Sequence, residues 1–154
     1  MSLQFTVHGE PIPQGSTRAF IPKGWKRPII TAANKRTKPW RQEVAGAALA
    51  AMDRELMSCA GKHIPFRLTV TFRFQKPKSV RVYVDEKVTK PDTDKLIRSI
   101  LDALTGIVWH DDSQVVEILA RKQFGQPGAE IAIEEIGGLP PSKMLKPDWL
   151  EVPF

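Results

Sequence analysis

The feature that most constrains the fold of this chain is the stretch FRLTVTFRF, in which apolar and polar side chains alternate strictly. The apolar set is Phe66, Leu68, Val70, Phe72 and Phe74. Successive side chains of a strand point to opposite faces, so this pattern is typical of a strand with one buried face. It is the clearest strand in the sequence, and its apolar face needs a second layer to cover it.

Two helices are predicted to supply that layer. The alanine-rich segment from Pro39 to Ala60 has Pro in its first turn and Gly61 as its stop. A second helix is predicted from about Thr93 to Thr105, with Leu and Ile residues on one face and Gly106 after its end.

The remaining strands and loops are predicted from the alternation of apolar and polar residues and from the positions of turn residues. A short strand is predicted at 3–8, and two more at 114–124 and 129–136, joined as an antiparallel hairpin by the turn Gly-Gln-Pro-Gly. The stretch 9–38 is rich in Pro and Gly and is expected to be mostly irregular.

The resulting order, β-α-β-α-β-β, indicates a single-domain α+β fold with two helices packed on a small mixed β-sheet. Residues 1–136 form the expected domain, and 137–154 a Pro-rich tail that runs extended over the surface.

Composition narrows the class of protein. The start of the chain does not resemble a signal peptide, and no apolar run is long enough to suggest a membrane span. A single cysteine, Cys59, cannot form an intrachain disulfide. These features favour a cytoplasmic protein that does not associate with membranes.

The net charge of +6 is concentrated in one segment. Residues 11–42 contain eight cations and no acidic residue, and the rest of the chain has 15 basic against 17 acidic residues. Phe20 and Trp25 are interleaved with these cations. A nucleic-acid-binding segment is the favoured interpretation, and a solvated loop is the alternative. The cations are Arg18, Lys23, Lys26, Arg27, Lys35, Arg36, Lys38 and Arg41.

Acidic residues are concentrated elsewhere, in KPDTDKLIRSILDALTGIVWHDDSQ. Asp94, Arg98 and Asp102 form a polar stripe on the second helix, Asp92 precedes it, and Asp111 and Asp112 follow it. Because that helix and the next strand are consecutive, the two acidic groups are expected to meet.

Each acidic residue also has an ordinary explanation. An aspartate before the helix could cap its N-terminus, and Arg98 could pair with Asp94 and Asp102 on the helix surface. Asp111 and Asp112 could simply form a turn.

Two acidic groups together favour a bound cation, because neighbouring carboxylates repel one another. Carboxylate ligands suit Mg²⁺ or Mn²⁺, whereas the scattered histidines and single cysteine do not suit zinc. A metal held by carboxylates beside a basic segment indicates hydrolysis of a phosphodiester, with Arg98 or Lys95 beside the scissile phosphate.

The segment KPDTDKLIRSILDALTGIVWHDDSQVVE resembles the core motif of the RusA-type Holliday junction resolvases, and the N-terminal VHGEPIPQGS is similar as well. The resemblance implies that Asp92, Asp94 and Asp112 bind Mg²⁺ and are required for cleavage. It also implies a homodimer that cuts four-way DNA junctions by paired nicks, in recombination and repair.

This chain departs from that motif at two positions. Lys95 stands where the family has Asn, and Arg98 where it has a catalytic Lys. Arginine keeps the charge but cannot serve in proton transfer, so Arg98 is expected to stabilise the transition state. The competing hypotheses are a non-catalytic DNA-binding protein, in which Lys95 and Arg98 neutralise the acidic group without metal, and a plain structural protein.

Overall fold

The computed structural model describes residues 1–15, 17–32 and 34–137. Along the chain, strand β1 is followed by a short pair of strands, a helix, a central strand, a second helix, a 3-10 turn and two final strands. Their bounds are β1 Ser2–His8, β2 Thr17–Phe20, β3 Ile29–Ala32, α1 Thr37–Arg54, β4 Phe66–Phe74, α2 Thr93–Leu104, the 3-10 turn Asp112–Gln114, β5 Val115–Phe124 and β6 Gly128–Glu135.

Four strands form a mixed sheet in the order β1-β6-β4-β5. β4 lies inside this sheet, antiparallel to β6 and parallel to β5. The five apolar side chains of β4 are buried, and they form one core with the buried faces of α1 and α2. The predicted α+β fold, with two helices on a mixed sheet, is confirmed, as are the predicted β1, β4 and α2.

The predicted hairpin between the last two strands is wrong. β4 lies between β5 and β6, and β5 pairs with β4 instead. The turn after Phe124 crosses the end of β4, where Gly125 N–H donates to Phe74 C=O at 2.9 Å. A Gly-Gln-Pro-Gly turn reverses the chain locally, but it does not require the two strands that it joins to be neighbours.

The predicted element order is incomplete, because β2 and β3 form an antiparallel two-stranded sheet inside the stretch expected to be irregular. The first helix is also shorter than predicted, ending at Arg54 rather than near Ala60. The predicted tail, 137–154, lies almost wholly outside the described residues. Within the described ranges, no helix has the length and apolar character needed to cross a membrane.

Candidate active site

Asp92 and Asp94 lie at the first turn of α2 and are exposed. Asp92 occupies the N-cap position, but its side chain makes no capping hydrogen bond. It instead contacts Lys95, with Asp92 Oδ2 and Lys95 Nζ 3.4 Å apart. The structure therefore gives no support to a capping role for Asp92, and it leaves two carboxylates open to solvent at one helix end.

Arg98 is exposed one turn further along α2. Among the described residues it forms no ion pair with Asp94 or Asp102, so the ion-pair stripe is not formed. Asp102 accepts a hydrogen bond from Gln14 Nε2 instead. The guanidinium of Arg98 is thus free to meet an anion.

The second acidic pair lies in the turn before β5, where Asp111 and Asp112 behave differently. Asp111 caps the 3-10 turn, and hydrogen bonds from the Ser113 side chain and from Ser113 N–H, the latter at 2.8 Å, lower the pKa of Asp111. Asp112 is exposed and forms no side-chain hydrogen bond within the described parts of the chain. A structural role, capping the turn, therefore explains an aspartate at position 111, whereas no hydrogen bond among the described residues explains one at position 112.

The two acidic pairs do not meet within one chain. Lys122, near the end of β5, donates to Pro91 C=O, whereas Asp112 begins the 3-10 turn that leads into the start of β5. Seven residue steps at about 3.3 Å put about 23 Å between Val115 and Lys122. In the ranges 1–15, 17–32 and 34–137, no three His, Cys, Asp or Glu side chains come close enough to hold a metal ion. The expectation that the two pairs meet is therefore wrong for a single chain.

The basic segment is attached beside the acidic end of α2. Gln14 N–H donates to Lys95 C=O at 3.0 Å, and Thr37 Oγ donates to Pro13 C=O at 3.1 Å. The β2–β3 hairpin lies between these two anchors and carries the exposed aromatics Phe20 and Trp25.

The predicted DNA-binding cations are distributed over three parts of that segment. Arg18 lies on β2, and Lys23, Lys26 and Arg27 are exposed on the loop between β2 and β3. The others lie at the start of α1, where Arg36 pairs with Glu10 at 2.9 Å. Lys38 and Arg41 line a pocket with Gln14 and Asp102, and Lys35 is exposed beside them.

Comparison with known proteins identifies the family. Residues 8–134 match the family of endodeoxyribonuclease RusA. The chain belongs to the RusA family. It is 30% identical over 145 residues to the uncharacterized protein YqaN of Bacillus subtilis (strain 168), covering 87% of this chain and 96% of that protein. It is 32% identical over 87 residues to the crossover junction endodeoxyribonuclease rusA of Lactococcus phage r1t, covering 55% of this chain and 66% of the phage protein.

Two positioning residues of this RusA-family chain were missed by the sequence analysis. Gln114 is 8% exposed, and its side chain makes four hydrogen bonds, to Gly61, Ile64, His110 and Asp111. It fixes the turn that carries Asp112. Its place in the DDSQV motif was the signal that could have revealed it.

Lys122 is the second positioning residue. Its ammonium group donates to the carbonyl oxygens of Thr89 and Pro91, both at 2.8 Å, and so holds the chain just before Asp92. No sequence pattern marks this contact, because it joins β5 to a loop 31 residues earlier.

Proposed function

We propose that this protein is a Mg²⁺-dependent endonuclease that resolves four-way DNA junctions by paired nicks, as a homodimer in the cytoplasm. The observation that carries the proposal is the pair of exposed carboxylates at the start of α2, beside a cationic hairpin, in a chain of the RusA family. The printed name of the phage relative, a crossover junction endodeoxyribonuclease, supports the choice of substrate.

Asp92 and Asp94 suit a hard divalent cation, since both are exposed carboxylates separated by one residue. Asp112 is the third ligand that the resemblance implies. A bound Mg²⁺, or Mn²⁺ in its place, would polarise the scissile phosphate and lower the pKa of a bound water.

Arg98 acts on the same phosphate in this mechanism. It lies one turn beyond Asp94 on α2, and no ion pair with another described residue neutralises it. A fixed positive charge stabilises the extra negative charge of the transition state more than that of the ground state. Because a guanidinium stays protonated, Arg98 does not transfer the proton of the attacking water.

The hairpin and the start of α1 bind the DNA backbone. The exposed cations Lys23, Lys26 and Arg27 would contact phosphates, and Trp25, which is 61% exposed, can stack on an unpaired base at the junction. Lys95, already near Asp92, would contact the phosphate next to the scissile one.

Two observations favour a second candidate, a DNA-binding protein without catalysis. The contact between Lys95 and Asp92 partly neutralises the acidic end of α2, and no three-carboxylate group forms among the described residues. In that case junction binding would be independent of metal and no strand would be cut.

The test is cleavage of a synthetic four-way junction in Mg²⁺, in Mn²⁺ and in EDTA. Wild-type protein should nick the junction with either metal and only bind it in EDTA. Asp92→Asn, Asp94→Asn and Asp112→Asn should each abolish nicking and retain junction binding, whereas Asp111→Asn should still cut.

Binding without cleavage in every metal would favour the second candidate. Cleavage by Asp94→Asn at the wild-type rate would show that the metal ligands are wrongly assigned.

A further inference from the structure

Asp102 is the residue of the polar stripe on α2 that the proposed mechanism does not use. It is half-buried, and its carboxylate accepts a hydrogen bond from Gln14 Nε2. Among the described residues it forms no ion pair. Because an ionised carboxylate has about four lone-pair sites, the bond from Gln14 leaves most of its accepting capacity unused.

Asp102 lines a pocket between α1 and α2 that has a volume of about 510 Å³. This volume lies within the range of roughly 300 to 1,000 Å³ that is typical of small-molecule sites. Small residues leave the space open, with Gly15 in the basic segment, Ala45 on α1 and Ala103 on α2. The pocket therefore has the size of a site for one small molecule, such as a nucleotide.

The lining of this pocket carries both signs of charge. Lys38 and Arg41, on the first two turns of α1, supply cations, and Asp102 supplies a carboxylate from α2. In residues 1–15, 17–32 and 34–137, neither cation forms an ion pair with Asp102 or with another acidic side chain. A matching ligand has a negative group at one end and a hydrogen-bond donor at the other. A nucleotide has both, in its phosphate and in the amino group of cytosine, adenine or guanine.

The pocket also lies in line with the candidate active site. Asp94, Arg98 and Asp102 follow one another at four-residue intervals on α2, so they lie on one face of the helix. Eight residues at about 1.5 Å each put about 12 Å between Asp94 and Asp102. One DNA strand advances about 3.4 Å per nucleotide, so a strand that follows this face reaches the pocket roughly three or four nucleotides from the scissile phosphate.

We propose that this pocket binds one unpaired nucleotide close to the cut, and that Asp102 selects a base with an exocyclic amino group. Lys38 and Arg41 contact the phosphate of that nucleotide, and Asp102 accepts a hydrogen bond from the amino group. An ionised carboxylate accepts but does not donate, so it disfavours thymine or uracil, which present the O4 carbonyl at that position. This base selection rests on the proposed function for its DNA substrate.

A structural role is the competing explanation for Asp102. Through Gln14 it fastens the basic segment to α2, beside the backbone bond from Gln14 N–H to Lys95 C=O. A structural role alone would change the affinity for every DNA strand in the same proportion. Base selection instead changes the ratio of the affinities for two bases.

The test compares single-stranded DNAs of equal length in EDTA, one made of deoxycytidine and the other of deoxyuridine. The two bases differ at the pairing edge, where cytosine has the N4 amino group and uracil has O4. Fluorescence anisotropy should show that the wild-type protein binds the deoxycytidine strand at least about fivefold more tightly. Asp102→Asn should abolish or reverse this preference, because it replaces an acceptor oxygen by an NH₂ donor and keeps an oxygen for Gln14 Nε2.

Matched variants separate selection from charge and from structure. Asp53→Asn removes an exposed carboxylate of α1 outside the pocket and should keep the preference. Gln14→Ala removes the hydrogen bond to Asp102 but leaves the carboxylate, so it should also keep the preference. Lys38→Ala and Arg41→Ala should weaken binding of both strands equally. Thermal unfolding establishes that each variant is folded.

Equal binding of the two strands by the wild-type protein would overturn the proposal. A preference that Asp102→Asn retains, with weaker binding of both strands, would assign Asp102 the structural role instead. None of these measurements requires cleavage. A protein that shows the preference but cuts no junction would therefore contradict the proposed function and leave the base selection standing.

Discussion

Arg98 is the single residue at which the catalytic and structural hypotheses differ most clearly. The structure leaves it exposed on α2, and the ion pairs with Asp94 and Asp102 that the alternative explanation requires are not formed among the described residues. We expect Arg98→Ala to slow junction cleavage by about 100-fold or more, because it removes a charge that acts in the transition state. Arg98→Lys should keep much of the activity, since it retains the charge.

The cleavage rates are measured under single-turnover conditions with saturating protein, beside thermal unfolding of each variant. The hypothesis of helix-surface ion pairs would be favoured if Arg98→Ala cut at the wild-type rate and unfolded at a lower temperature.

For single residues, the sequence gives the residue type and the spacing, but not the groups with which each side chain forms hydrogen bonds. Asp111 and Asp112 are adjacent, and their spacing alone does not distinguish their roles. The structure distinguishes them, because Asp111 caps a 3-10 turn. Lys122 and two of the four hydrogen bonds of Gln114 join residues 31 to 53 positions apart, and no local spacing predicts those distant partners.

Among the predicted helix boundaries, the end of α1 differs most from the structure. Leu56 has a positive φ of 53° and is 93% exposed. Met57 N–H donates to Met52 C=O at 2.8 Å, and Leu56 N–H to Asp53 C=O at 3.2 Å, the pattern of a Schellman motif. Alanine-rich composition favoured a longer helix, and without a glycine at this position nothing in the sequence marked the end.

This helix end gives a stability prediction. Leu56→Gly should stabilise the protein by about 0.5 to 1 kcal/mol, because glycine adopts the left-handed conformation without the steric cost to an L residue. Denaturant unfolding measures the change. The control Leu49→Gly, within the helix, should destabilise by about 1 kcal/mol. Destabilisation by Leu56→Gly would show that the helix does not end there.

The β2–β3 hairpin should supply much of the DNA affinity. Replacing Lys23, Lys26 and Arg27 by Ala should weaken junction binding and reduce the slope of log K against log salt by up to about 2.7. The unfolding midpoint should hardly change, because all three side chains are exposed.

Affinity is measured by fluorescence anisotropy over a salt series, in EDTA to prevent cleavage. The control replaces Arg54 and Lys62, exposed cations outside the basic segment, and should leave the slope unchanged. An unchanged slope in the hairpin variant would mean that the segment is only a solvated loop.

The overlooked β2–β3 hairpin and the wrongly predicted β5–β6 hairpin show why a long strand was easier to predict than strand pairing. Strict alternation identified β4 to the residue, since burial of one face dictates it. β2 and β3 have four residues each, too few for a pattern to stand out among Pro and Gly. The position of β4 between β5 and β6 depends on packing of the whole sheet, which no turn sequence encodes.

For the whole molecule, the sequence predicted the fold class and the RusA family, but not that the two acidic pairs lie at opposite ends of β5. Consecutive elements are usually neighbours, and α2 and the turn before β5 are indeed in contact. The C-terminal end of α2 lies towards this turn, since Trp109 Nε1 donates to Thr105 Oγ at 3.3 Å, whereas Asp92 and Asp94 lie at the N-terminal end. The distance between the two acidic pairs is set by the topology of the sheet, which composition and spacing do not encode.

The most direct test of the account is cleavage of a supercoiled plasmid that extrudes a cruciform. Two sites acting on one junction should convert it in Mg²⁺ to linear DNA, with little nicked circle accumulating, and EDTA should prevent any cut. Plasmid without the cruciform should remain intact. Nicked circle as the lasting product, or equal cutting of both plasmids, would contradict resolution of four-way junctions by paired nicks.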